Sequence, residues 1–237
     1  MRLAFAFAAI AVAVLAVPAA AIAPFSAASA GSALPEGWRT LHLPRVAPAE
    51  IELVADAGET VLQVRSNASA GAVAYALRVP ADARPILAWR WKVDRVVQSA
   101  DLRTRAGDDF AARVYVFFDV RESDIPLAAR LRIRLARWLY GAELPTAALC
   151  YVWDNRAPMG TTEWSAYTDR VRMVVLESGA AKAGRWVDER RDVAADFRAA
   201  FGADPPAITG VAAGNDTDQT GERASAWFAD FRLEPRT

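Results

Sequence analysis

The chain has 237 residues, with 28 basic and 28 acidic side chains, one cysteine, one histidine, eight tryptophans and 54% hydrophobic residues. The neutral balance lacks the basic excess on which nucleic-acid binding depends, and the apolar content is too high for a disordered chain. His42 and Cys150 each stand alone, which excludes a multi-histidine metal centre, a cysteine-cluster zinc site and an internal disulfide.

Residues 1–30 read MRLAFAFAAIAVAVLAVPAAAIAPFSAASA, with Arg2 as the only charge and an apolar run from Leu3 to Val17. Small residues and prolines follow, which is the layout of a cleaved secretory leader. The run is about fifteen residues, short of the roughly 20 that cross a bilayer. Ala28 and Ala30 place the cut after Ala30, and a cut after Ala21 satisfies the same small-residue rule. Only Lys92 and Lys182 are lysines and alanine is abundant, a bias that GC-rich coding produces. The expectation is a bacterial periplasmic protein, without a transmembrane segment once mature and monomeric. With one thiol in an oxidising compartment, its stability must come from its core. Residues 31–48, with Pro35, Pro44 and Pro48, read as an irregular lead-in in which His42 is a surface or edge residue, and residues 49–237 as a single domain.

From about residue 50, short runs of two-residue alternation separated by Gly, Pro, Asp and Asn predict strands. The predicted strands are 51–55, 60–66, 72–79, LAWRWKV at 87–93, AARVYVFFDV at 111–120, 148–153, 171–177, 208–213 and 223–233. Trp89, Trp91 and Val93 share one face, as do Ala112, Val114, Val116 and Phe118, while Arg113, Tyr115, Phe117 and Asp119 point the other way. Nine strands without a βαβ rhythm predict an all-β fold, an antiparallel β-sandwich of jelly-roll type with one or two accessory helices.

Two segments break the alternation. Pro126–Tyr140 carries leucines four apart and ends before Gly141, which predicts an amphipathic helix, with Arg130, Arg132, Arg134 and Arg137 crowded onto it. Asp192–Phe201 places Val193, Phe197 and Phe201 on one stripe before Gly202 and predicts a short packing helix.

Three groups of residues could carry chemistry. Asp109 precedes the central strand and shares a face with Arg113 and Tyr115; a catalytic carboxylate pair there would need Glu163 or Asp119 as the second member. Trp164, in the polar run TTEWSAYTD, is a candidate stacking platform for a sugar ring. In NDTDQTG, Asp216, Asp218 and Thr220 alternate ahead of Gly221, a spacing that lets oxygen ligands converge on a hard cation such as Ca²⁺. The twelfth position from Asp216 is Trp227 rather than Glu, so the loop is not an EF-hand, and an Asx-rich turn without metal is the alternative. Cys150, in the apolar run ALCYVW, reads as an inert buried thiol.

Taken in order, WRWKV, GDDFAARVYVFF, YVW, ERRDVAADFRAAFG, PPAITG, NDTDQTG and AWFADFRL resemble the bacterial domain of unknown function family 3047 over roughly residues 50–233. The resemblance implies an exported bacterial protein of a family with no established activity. The residues themselves favour a non-catalytic binding module for a glycan or cell-envelope saccharide, with Asp109, Arg113, Tyr115 and Trp164 as ligand contacts. The alternatives are a glycoside hydrolase or lyase using paired carboxylates, and an envelope protein-interaction module using the Arg-rich segment.

Overall fold

A computed structural model describes residues 22–41, 45–120 and 146–236. The predicted helix 126–140 and His42 lie outside the described residues. Two sheets face each other. One has seven strands in the order β1 (Trp38–Leu41), β4 (Ala70–Val79), β11 (Ile208–Asp216), β6 (Phe110–Phe118), β7 (Ala147–Asp154), β9 (Thr168–Ser178) and β8 (Thr162–Ser165). The other runs β10 (Val187–Asp192), β5 (Ile86–Val93), β12 (Arg223–Phe228), β3 (Glu59–Asn67) and β2 (Glu50–Asp56), with β13 (Arg232–Glu234) also beside β5.

This is the antiparallel β-sandwich of jelly-roll type that the alternation predicts, with one departure. β7 and β9 run parallel, Ala148 to Asp154 opposite Val171 to Ser178. One α-helix is present among the described residues, α1 (Val193–Phe201). Asp192 caps it, its carboxylate accepting from the Ala195 amide at 2.9 Å, and Gly202 ends it in the left-handed conformation.

The two inner faces meet through aromatic rings. Trp89 and Trp91 of β5 lie edge to face, 5.6 Å apart; Trp89 packs on Tyr151 at 5.5 Å and Trp91 on Trp153 at 5.8 Å. Phe231, just before β13, stacks on Trp89 from the side. Every residue of β7 is buried, which is why its sequence reads as a continuous apolar run rather than an alternation.

Residues before position 49 also pack on the sandwich. The lead-in contributes β1, whose Trp38 opposes Tyr75 of β4. Residues 22–28, assigned above to the leader, pack into the same core. Phe25 is completely buried, with its ring 4.6 Å from Trp38 and 6.4 Å from Phe231. The Trp38 indole donates to the Ala23 carbonyl at 2.8 Å, and the Ser26 amide donates to Asp230 at 3.1 Å. The predicted strand 223–233 is two strands, because Ala229–Phe231 leave the ladder to insert Phe231 into the core. The sequence reading missed three short strands, β1, β8 and β10.

Close backbone approach fixes one further position. A side chain on Gly214 of β11 would put Cβ 2.2 Å from the Gly71 carbonyl oxygen and 2.6 Å from the Ala72 Cβ of β4. Gly214→Ala is therefore expected to destabilise the domain by about 1–3 kcal/mol or more, because the clash is with backbone that cannot swing aside. Phe25→Ala is expected to cost about 3–5 kcal/mol through the cavity it leaves. Urea unfolding midpoints of the two variants against the parent protein measure both effects.

Candidate functional site

The densest charged constellation lies where β6 begins and β11 ends. The ladder between these strands slips between Gly214 and Asp216, so Gly214 opposes Arg113 while Asp216 opposes Phe110. This irregularity carries the Asp216 carboxylate over the Arg113 side chain. Arg113 Nε and Nη2 grip the two Asp216 oxygens at 2.8 and 2.7 Å, a forked ion pair. Its Nη1 donates to Asp108 Oδ1 at 3.3 Å and to the Tyr115 hydroxyl at 3.4 Å, and Nη2 donates to the Asp108 carbonyl. Only 4% of Arg113 is exposed. Burial pulls its pKa down, but Asp216, Tyr115 and Asp108 more than offset this and hold it well above the ordinary value.

Asp109 is completely buried beside this pair. Its Oδ2 accepts from the Thr220 amide at 2.6 Å, and its Oδ1 has no hydrogen-bond partner. Thr220 sits in the turn after β11, which closes when the Gly221 amide donates to the Thr217 carbonyl at 3.0 Å; Gly221 takes φ +71°, a left-handed value that suits glycine. Carboxylate oxygens from Asp109, Asp216 and Asp218 lie within 4.8 Å of one another. Two full negative charges at that separation repel by about 3 kcal/mol at an effective dielectric constant of 20. Burial raises the Asp216 pKa to about 7, with Arg113 pulling the other way, and burial with Asp109 nearby raises that of Asp218.

Of the residues nominated from the sequence, Asp109, Arg113, Tyr115, Asp216 and Asp218 converge here. The Thr220 hydroxyl accepts from the Glu222 amide, and it is the Thr220 backbone that reaches Asp109. Trp164 is elsewhere. It lies on β8 opposite Arg172, with that guanidinium 4.9 Å over its ring and Phe201 of α1 at its edge. Glu163 faces the other way from Trp164, opposite Met173, and lines a depression with Asp101, Arg103 and Asp154 that does not include Asp109. Cys150 is fully buried, and burial pushes its thiol up to about 12, so the thiolate is suppressed.

The sequence reading passed over Tyr167. It sits at the tip of the β8–β9 hairpin, 51% exposed, and is close enough to Asp108 and Asp218 for their charges to raise its pKa together with burial. Its hydroxyl donates to the Arg105 carbonyl at 3.3 Å, and the Arg105 guanidinium lies 5.1 Å over one face of the ring.

A second feature opens at the edge of the sandwich, between β8, β9, β10 and α1. This is a cavity of about 290 Å³ lined by Glu189, Arg172, Arg191, Asp196, Met159 and Leu176, among others. Burial and the neighbouring Glu177 raise Glu189 to about 7, while the Trp91 indole donates to it at 3.1 Å. Glu177 holds Lys182 at 2.6 Å, and Arg191 is paired with Asp196, which also accepts from the Tyr151 hydroxyl.

Two facing sheets, antiparallel except where β9 runs beside β7, define with this strand order a jelly-roll β-sandwich carrying a buried arginine–carboxylate network at one end. By sequence, residues 36–232 match the family described as "Protein of unknown function (DUF3047)", and the chain belongs to that family. No curated protein matches the sequence. Among solved structures it is similar to the xyloglucanase domain of NopAA, a type three effector from Sinorhizobium fredii, in complex with cellobiose, at 12% identity, 88% of this chain, 97% of that chain and a TM-score of 0.45. It is also similar to Trichoderma harzianum endoglucanase 3 from family GH12, at 6% identity, 86% and 100% coverage and a TM-score of 0.40. The cellulose-induced protein Cip1 follows at 14% identity, 84% and 91% coverage and a TM-score of 0.34.

Glu189 makes stability depend on pH in a defined direction. Its folded pKa of about 7 lies above its ordinary value of 4.5, so between these limits the folded state holds a proton that the unfolded state has released. Its contribution is full below about pH 4.5 and is lost as pH rises through 7. The slope is at most about 1.4 kcal/mol per pH unit, reduced by partial solvation. Glu189→Gln is expected to flatten that part of the stability profile, measured by urea unfolding from pH 4.5 to 8.

Proposed function

We propose that this chain is an exported domain that binds a cell-envelope saccharide at the Asp108–Asp218 end of its seven-stranded sheet. The observation that carries the reading is the exposed Tyr167 ring, held against Arg105 three residues before Asp108 of that carboxylate cluster. A sugar presents two chemistries at once, a C–H face that suits the electron-rich face of an aromatic ring and hydroxyls that donate to carboxylates. Tyr167 offers the first, with one face taken by Arg105, and Asp218 the second. Asp109, Arg113 and Tyr115 are the buried support, holding the cluster in place rather than meeting the ligand. Trp164 is a poorer platform because Arg172 covers its ring and Phe201 meets its edge, leaving it 37% exposed against 51% for Tyr167.

Asp218→Asn and Tyr167→Ala are each expected to weaken binding at least about tenfold on a glycan array followed by calorimetry on the best hit, without lowering the melting temperature of the metal-stripped protein. No hit at high protein concentration would remove the saccharide reading. A second reading, hydrolysis of a glycosidic bond, is favoured by one observation: Glu189 is a carboxyl with raised pKa lining a cavity near a second carboxylate, Glu177. Reducing-sugar release that Glu189→Gln abolishes would move the function there.

Export rests on the charge-poor, apolar leader, and the packing of residues 22–28 supports an end after Ala21. A cut after Ala30 removes Phe25 and the Ser26–Asp230 contact, whereas a cut after Ala21 leaves them in the mature protein. The mature chain is therefore expected to start at Ile22. Osmotic-shock fractionation of the full chain expressed in a Gram-negative host, with intact-mass measurement, separates the two ideas. An uncut cytoplasmic chain refutes export, and an exported chain starting at Gly31 refutes the boundary.

A further inference from the structure

We infer that Asp109, Asp216 and Asp218 form a site for a divalent cation, with calcium preferred, that clasps the turn after β11 to the start of β6. Three carboxylates gathered within 4.8 Å would by themselves be an ordinary acidic cluster. Asp109 is what distinguishes it. This side chain has no solvent exposure, it belongs to the cluster, and its Oδ1 accepts a hydrogen bond from none of the described residues. A buried carboxylate oxygen left bare is costly, and a positive ligand is what would satisfy it.

The resident cation does not fill this role. Arg113 spends its donors on Asp216, Asp108 and the Tyr115 hydroxyl. Among the described residues, neither Asp109 nor Asp218 is ion-paired with any Arg or Lys. Fully ionised, the four carboxylates of Asp108, Asp109, Asp216 and Asp218 would stand against one guanidinium, a local charge of about −3 that a divalent ion reduces to about −1.

The donors are all oxygen and come from separate elements, Asp109 from the lead-in to β6 and the others from the end of β11 and its turn. Such a set suits calcium, which accepts irregular oxygen shells of six to eight, better than magnesium, which demands a tight octahedron. Three protein carboxylates leave the rest of the shell to water, so binding is expected to be weak, with a dissociation constant on the order of 10⁻⁴ to 10⁻³ M. The sequence motif nominated Thr220 as a ligand. In the folded chain Asp109 fills that role from a hundred residues away, while the Thr220 amide orients it.

The test uses the free protein and needs no saccharide, so its outcome is independent of the function proposed above. Metal-stripped protein is melted with 10 mM CaCl₂, 10 mM MgCl₂ or EDTA. Calcium is expected to raise the melting temperature by about 3–10 °C and magnesium by less. Asp218→Asn, in the partly exposed turn, is expected to fold and to need at least about tenfold more calcium for the same shift, and Asp109→Asn to lose the shift. Terbium titration gives a second readout if Asp109→Asn fails to fold, with Asp218→Asn lowering the apparent affinity. No shift with calcium, or a shift that Asp218→Asn retains in full, overturns the site, as does a larger response to magnesium overturn the preference.

Discussion

The sandwich depends on the contact of two indoles on β5 with two aromatic rings on β7. Trp89 on Tyr151 and Trp91 on Trp153 form an aromatic column that joins the two sheets through the buried face of β5 and the fully buried β7. Each large ring removes about 150–250 Å² from water, so this column supplies much of the burial that a chain without a disulfide requires. Both strands are held at their hydrogen-bonded edges by neighbours, β7 between β6 and β9, and β5 between β10 and β12. The register of β6 against β7 follows, and with it the position of Arg113 at the end of the sheet.

The charged network can exist because that frame is rigid. A buried guanidinium is stable only where its donors are met, and Arg113 meets two carboxylates, a carbonyl and a phenol while strands on both sides hold its backbone. Gly214 lets β11 approach β4 closely one residue before the slip that aims Asp216 at Arg113. The strand that positions the carboxylate is therefore the one that cannot tolerate a side chain two residues away. Packing of small residues and placement of charge are parts of one arrangement.

Much of the sheet architecture was legible in the residue pattern, and the failures have physical causes. Strands with one wet face alternate, so β2, β3, β4, β5 and β6 were read within two residues of their ends. The missed strands β1, β8 and β10 lie at sheet edges or are only four to six residues long, and the charged sequence of β10, VDERRD, hides its pairing with the tryptophans of β5. The parallel pairing of β7 with β9 is a relation between distant segments, and no local periodicity records it. At the site, alternation correctly put Asp109 with Arg113 and Tyr115, and the spacing in NDTDQTG singled out Asp216 and Asp218. That the two sets meet depends on β6 and β11 being neighbours, which a sequence does not state. Tyr167 was overshadowed by the larger Trp164 three residues earlier; its place at the tip of a two-residue hairpin, between Ser165 and Thr168, is the signal that could have exposed it.

The bond between Ser26 and Asp230 joins residues 204 positions apart, and Phe25 rests on Phe231 at the same seam. A chain emerging from a ribosome presents Phe25 and Ser26 early, and 204 further positions must follow before the Ser26–Asp230 bond can form. During that interval the Phe25 ring is an apolar surface that other chains can reach. Loss of Asp230 and Phe231 alone would leave residues 22–28 without two of their anchors.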